Sequence, residues 1–203
     1  MRLSSLMGVV LLLWGCSKVN NSTTKIFGHA ATGLQNPNAI YHDNSLDAIR
    51  YASSLTRCSG VEVDVRMDAQ GQLWLFHDEL LDDETNLSGS VEEMTTDELT
   101  SGHYGTLKKE PLLKLDATTT AELSQGYTFL DLKIPGISKA QELKSALLAL
   151  DCDTTKFALI VSSLSYVDVF KYDFQVFLSI NEVTELTNEL LSNEPRLRGI
   201  CIR

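Results

Sequence analysis

GVEVDVRMDAQGQLWLFHD, residues 60–78, is the stretch whose reading decides the fold. Its alternation predicts a strand, a tight turn at Asp68-Ala69-Gln70-Gly71 and a second strand. Side chains along a strand point alternately to opposite faces. Val61, Val63 and Val65 therefore make one apolar face, and Glu62 and Asp64 stand together on the other. With the hydrophobic side already filled, two neighbouring acids on the far side are suited to a cation. His77 closes the second strand.

On the amino-terminal side, Lys25-Ile26-Phe27-Gly28 is a short apolar run ending in His29. Residues 30–42 contain Gly33, Asn36, Pro37 and Asn38 and read as loop. Asp43-Asn44-Ser45 offers N-cap residues for a helix over residues 46–52. On the carboxyl side, residues 80–123 are acidic and rich in Thr, Ser and Gly. They read as an excursion over the domain edge, with a helix-capping signal at Thr95-Thr96-Asp97-Glu98 and a helix near residues 119–125.

Strands at 127–134, 157–161, 175–180 and 199–202 then alternate with helices at 140–150, 165–172 and 183–191. Alternating strands and helices, with several strands continuously apolar, predict a parallel sheet with helices outside. The predicted strands begin at Ile26, Val61, Leu73, Phe129, Phe157, Val176 and Gly199. A closed (β/α) barrel has eight. The expectation is an α/β fold, a TIM-like barrel incomplete in this chain.

The 203 residues, 43% hydrophobic and 22% charged, suit one globular domain. A net charge of -10 without a basic cluster argues against a nucleic-acid partner. Cys16, Cys58, Cys152 and Cys201 form no CxxC pair, which argues against a zinc ribbon or a disulfide framework. Cys58, Cys152 and Cys201 are expected as small buried residues.

Residues 1–15 carry Arg2 and then an apolar run over 6–14, too short to span a bilayer and shaped like a secretory leader. Leu13-Trp14-Gly15-Cys16 resembles a bacterial lipoprotein signal, with Cys16 lipidated and residues 16–25 a polar tether. The main domain would then run from residue 26 to 203, anchored to a membrane of the bacterial cell envelope and facing an extracytoplasmic compartment.

In a barrel of this kind the active site lies at the carboxyl ends of the strands. His29 ends the first strand, Glu62 and Asp64 lie on the second, His77 ends the third, and Asp131 and Lys133 lie on the fourth. Carboxylates buried together need a compensating cation. Oxygen donors favour Mg²⁺ or Ca²⁺ over zinc. Histidines are suited to proton exchange near neutral pH, and Lys133 to holding an anionic oxygen. His42 and His103 read as loop residues, and Asp82-Asp83 and Glu92-Glu93 as solvated faces.

These motifs resemble those of the glycerophosphodiester phosphodiesterase family. Gly28-His29-Ala30-Ala31 is similar to its first histidine motif, Asp43-Asn44-Ser45 to its Glu-Asn-Thr helix start, and Glu62-Val63-Asp64 to its metal-binding strand. Phe76-His77-Asp78 matches its second histidine motif, and Asp131-Leu132-Lys133 its Glu-x-Lys strand with Asp for Glu. The resemblance implies a divalent cation on Glu62, Asp64 and Asp131, with His29 and His77 as general acid and base and Lys133 on phosphate. It implies hydrolysis of a glycerophosphodiester to glycerol 3-phosphate and an alcohol. Ala30 stands where the family has an arginine. That motivates a second expectation, a non-catalytic lipoprotein of the same fold that binds a phosphate-bearing ligand. A related barrel acting on phospholipid headgroups is a third.

Overall fold

The computed structural model of the protein describes residues 24–34, 40–133, 135–182 and 197–202. The expected leader over 1–15, Cys16, most of the tether and the helix expected at 183–191 lie outside the described residues.

The sheet is built around β2, Cys58–Met67. Along one edge, β5 (Tyr127–Leu132) runs parallel to it, from Gly60 opposite Tyr127 to Val65 opposite Leu132. Two strands share the other edge. β1 (Ile26–Gly28) lies parallel along the first part of β2, and β3 (Leu73–Leu75) lies antiparallel along the last part, Val65 to Met67. β4 (Leu113–Lys114) adds antiparallel to β3. On the β5 side, β6 (Phe157–Val161), β7 (Gln175–Ile180) and β8 (Leu197–Ile202) follow in parallel. The order is β4-β3-β2-β5-β6-β7-β8 with β1 on β2, and the sheet does not close among the described residues.

Two expectations are corrected. The described sheet has eight strands, the extra one being β4, whose two residues are too few to show a period. His77 does not end a third parallel strand, because β3 runs antiparallel to β2. The turn that joins them is anchored by Asp68, whose Oδ1 accepts from the N–H groups of Gln70 and Gln72, both at 2.9 Å. A turn this short can join only antiparallel neighbours, since a parallel crossover takes a dozen residues or more.

One face of the sheet is covered by α1 (Leu46–Ser54), α3 (Ala117–Leu123), α4 (Ile137–Ala149) and α5 (Leu164–Phe170). α1 begins where expected, with the Ser45 hydroxyl accepting from the Ala48 N–H. Val61, Val63, Val65, Leu130, Leu132, Leu159 and Val161 meet Ile49, Leu123, Leu143 and Phe170 in the core between sheet and helices. The opposite face carries Phe27, Tyr127, Phe129 and Phe177, whose rings pack edge to face around Phe129 at 5.0–5.2 Å.

The excursion has a core of its own, in which Leu81, Val91, Leu99, Tyr104 and Leu112 pack on Trp74 and Phe76 of the hairpin. Its helix α2 (Thr96–Thr100) opens with a full capping box between Thr95 and Glu98. Cys58, Cys152 and Cys201 are half-buried rather than buried.

Gly60 sets the contact between the two central strands. Its φ is +153°, and a Cβ added there would lie 1.7 Å from the carbonyl oxygen of Tyr127 on β5. Only backbone stands in the way, so β2 and β5 would have to part. Gly60→Ala should destabilise the fold by about 3 kcal/mol or more, from overpacking plus backbone strain. Urea unfolding measures this, and a loss below about 1 kcal/mol would contradict the account.

Candidate active site

The β2–β5 register places Asp64 directly opposite Asp131, with Glu62 one step back on the same face of β2. One carboxylate oxygen from each of Glu62, Asp64 and Asp131 lies within 4.8 Å of the others. Lys133 follows Asp131 by one alternation. Its Nζ sits 2.9 Å from Asp64 Oδ1 and 2.8 Å from Asp131 Oδ2.

Two loops hold these acids. Asn44, fully buried, donates from Nδ2 to Asp64 Oδ2 and accepts the Asp64 N–H at Oδ1, both at 2.9 Å. The Ala30 N–H donates to Glu62 Oε2 at 2.9 Å, and the Ala31 N–H to the Glu62 carbonyl at 3.0 Å. Ala30 and Ala31 take left-handed φ of 45° and 68° to do so. Such angles cost an L-residue roughly 1–2 kcal/mol each. This turn requires Gly28, because a Cβ there would lie 2.0 Å from the Ala31 carbonyl oxygen.

His29 reaches the acids directly, and His77 is brought into their neighbourhood by the backbone. His29 Nε2 lies 3.7 Å from Glu62 Oε2 on a side chain that is 67% exposed, which puts it at the open rim. His77 arrives by the hairpin: β3 turns back along β2, and the Phe76 N–H donates to the Asp64 carbonyl at 3.1 Å. The ring Nδ1 of His77 pairs with Asp78 Oδ1 at 2.6 Å. With Nδ1 as the donor, Nε2 is left with its lone pair. His29, Glu62, Asp64, Asp131 and Lys133 are thus in contact with one another, and His77 follows the residue whose backbone is bonded to Asp64.

Sequence reasoning missed Asn44 and Asp78 as functional residues. Asn44 was legible as an N-cap and a member of the helix-start motif, and Asp78 as a member of the second histidine motif, with no role of its own for either. Glu92 is half-buried and paired with Arg66 at 2.6 Å, not solvated as expected, because the excursion folds back over the end of β2. His42, expected as a plain loop residue, is stacked on Tyr104 with ring centres 3.6 Å apart and belongs with Asp43 and Glu84 to a second compact group. Burial and the Asp43 charge push Glu84 up to about 7.

Burial first, then the charge on Asp64, raises Glu62 to about 8, with Asp131 adding and the Ala30 N–H and Lys133 opposing. An all-oxygen set of carboxylates that resist joint ionisation fits a hard divalent cation, for which Glu62, Asp64 and Asp131 are the available ligands.

The model of the Glycerophosphoryl diester phosphodiesterase family matches residues 29–148, which span the histidines, the carboxylates and Lys133. The chain belongs to that family. A glycerophosphodiester phosphodiesterase of Bacillus altitudinis is 35% identical over 79 residues, 39% of this chain and 30% of that protein. Among solved structures, a glycerophosphodiester phosphodiesterase of Agrobacterium tumefaciens superposes at a TM-score of 0.57 with 21% identity, over 68% of this chain and 60% of that one. An Oleispira antarctica phosphodiesterase in complex with the product sn-glycerol-3-phosphate gives 0.68 and 20%, over 84% and 71%. The Thermotoga maritima glycerophosphodiester phosphodiesterase gives 0.66 and 19%, over 89% and 74%. The fold is that of the TIM-barrel members of this family, with a mostly parallel sheet left open among the described residues. The chain spans 30% of the curated relative and 60% of the Agrobacterium structure.

A raised Glu62 fixes the sign of two pH effects. In metal-free protein the folded state holds this proton up to about 8 while the unfolded chain releases it near 4.5, so stability falls as pH rises between those values. Mg²⁺ or Ca²⁺ binding at pH 7 should release close to one proton, and none at pH 9.5. Calorimetry in buffers of different ionisation enthalpy measures the release, and a pH-independent count would refute the assignment.

Proposed function

We propose that this chain is a metal-dependent phosphoric diester hydrolase that cleaves a glycerophosphodiester to glycerol 3-phosphate and an alcohol. The observation that carries the reading is the convergence of Glu62, Asp64 and Asp131, with His29 on Glu62 and the segment of His77 tied to the Asp64 carbonyl through the Phe76 N–H. Membership of the family supports the same reaction class.

A divalent cation on the three carboxylates would neutralise phosphate oxygens as charge develops on them. The remaining roles fall to the chain's own groups. Lys133 is placed to hold an anionic phosphate oxygen at the edge of the carboxylate group. His77, oriented by Asp78, accepts a proton at Nε2. His29, exposed at the rim, donates one to the leaving alkoxide. Asn44 keeps the Asp64 carboxylate from rotating.

Hydrolysis is tested by following glycerol 3-phosphate release from glycerophosphodiesters with Mg²⁺ or Ca²⁺, with and without chelator. Chelation should abolish turnover, and His29→Ala and His77→Ala should each lower kcat by about 100-fold or more. Chelator-insensitive turnover, or folded histidine variants with full activity, would defeat the proposal. Ala30 favours one rival. It is fully buried, and its methyl group cannot supply the guanidinium that the family has at this position. Cation-dependent binding of glycerol 3-phosphate without any product from diesters would establish that non-catalytic reading instead.

The leader-like residues 1–15 and Cys16 support a lipid-anchored protein of the cell envelope. Expressed in a bacterial host, the chain should partition with membranes, and Cys16→Ser should release it. Equal partitioning of the two would exclude the anchor.

A further inference from the structure

Arg66 is a buried cation beside the site to which the proposed reaction gives no role. It continues the alternating row of Glu62 and Asp64 on the same face of β2, and its side chain is 11% exposed. Nη2 donates to the His77 carbonyl oxygen at 2.9 Å, and Nε donates to the same oxygen at 3.3 Å. Nη1 donates to Glu92 Oε1 at 2.6 Å. All three guanidinium nitrogens are engaged, so Arg66 is not a replacement for the phosphate-gripping arginine absent at position 30.

The carbonyl that Arg66 holds belongs to the peptide between His77 and Asp78. That peptide plane sets two things at once, the direction of the His77 side chain and the place of the carboxylate that fixes its ring at 2.6 Å. The ladder of β3 ends at Leu75, and the last backbone link to β2 is the Phe76 N–H on the Asp64 carbonyl. Arg66 supplies the next tie. Glu92 in turn sits on a single 3-10 turn, Val91–Glu93, whose Val91 is buried in the excursion core with Phe76. The excursion is therefore joined to the His77 carbonyl through a partly buried ion pair.

We propose that Arg66 and Glu92 are positioning residues for His77, holding the His77–Asp78 peptide so that the imidazole faces the carboxylate centre. This rests on the reading of His77 as a proton-exchanging group. Arginine is required because its planar fork grips a carbonyl and a carboxylate together, which a lysine ammonium does not reproduce.

The test uses Arg66→Gln, Arg66→Lys and Glu92→Gln in the full chain with Mg²⁺. Arg66→Gln should lower kcat about 10- to 100-fold, the scale of a misplaced catalytic group, while KM and Mg²⁺ affinity stay unchanged. Arg66→Lys should recover part of the loss. In a His77→Ala background, Arg66→Gln should cause no further loss, since the two act as one unit. ¹⁵N NMR of the imidazoles gives a readout independent of turnover: the His77 resonances should move in Arg66→Gln while those of His29 stay. If Arg66→Gln does not fold, Glu92→Gln keeps the arginine and should shift the His77 resonances in the same direction. Unchanged His77 resonances in a folded variant overturn the proposal, as does a kcat loss that multiplies with that of His77→Ala. If the wild-type chain hydrolyses no diester, the hydrolase reading fails, and the resonances alone decide whether Arg66 sets the His77 ring.

Discussion

Asp64 and Asp131 face each other across adjacent parallel strands, with Glu62 a step away, and much of the structure answers to that crowding. Three acids packed within contact of one another are unfavourable unless charge and hydrogen bonds compensate. The compensation comes from every side. Lys133 bridges two of the acids, Asn44 clamps the third oxygen of the pair, and the backbone of a strained turn donates to Glu62. The same groups that make the site tolerable also fix its geometry, which is the preorganisation that cation binding requires.

A second constraint is the length of β2. Ten residues is long for a strand in such a sheet, and it extends beyond the part paired with β1. The surplus lets β3 pair back along its end and bring Phe76, the residue before His77, onto the Asp64 carbonyl. A parallel strand ending in His77 would reach the rim once and leave. The hairpin instead returns to the carboxylates, and the excursion that follows packs over it with its own apolar core. Trp74 shows how tightly hairpin and excursion are knit: its Nε1 donates to Asp68 Oδ2 at 3.0 Å, the same oxygen that accepts from Thr96 Oγ1.

Much of this was legible in the sequence. The alternation of valines and acids in β2 gave the inner and outer faces without any tertiary information, because a strand has period two. Strands over 157–161 and 175–180 were read at their observed bounds, the first a continuous apolar run and the second a mostly apolar one. The excursion was the weak point. Its residues show no single period, β4 and the 3-10 turn are each too short to announce themselves, and α2 showed only its capping signal. Glu92 looked solvated for that reason and His42 read as a plain loop residue, although both are drawn into contacts with distant parts of the chain, Glu92 with Arg66 and His42 with Tyr104.

By itself the sequence singled out the candidate side chains: Glu62 and Asp64 by their shared face, His29 and His77 by their places after short apolar runs, and Asp131 with Lys133 by the same spacing on a later strand. Periodicity is a local property and can be read locally. The tertiary structure alone decided the register that sets Asp64 against Asp131, the bond from the Phe76 N–H to the Asp64 carbonyl, and the Arg66–Glu92 pair. Those depend on which strand neighbours which and on where an irregular segment comes to rest, and residues far apart in the chain meet only once the core has formed.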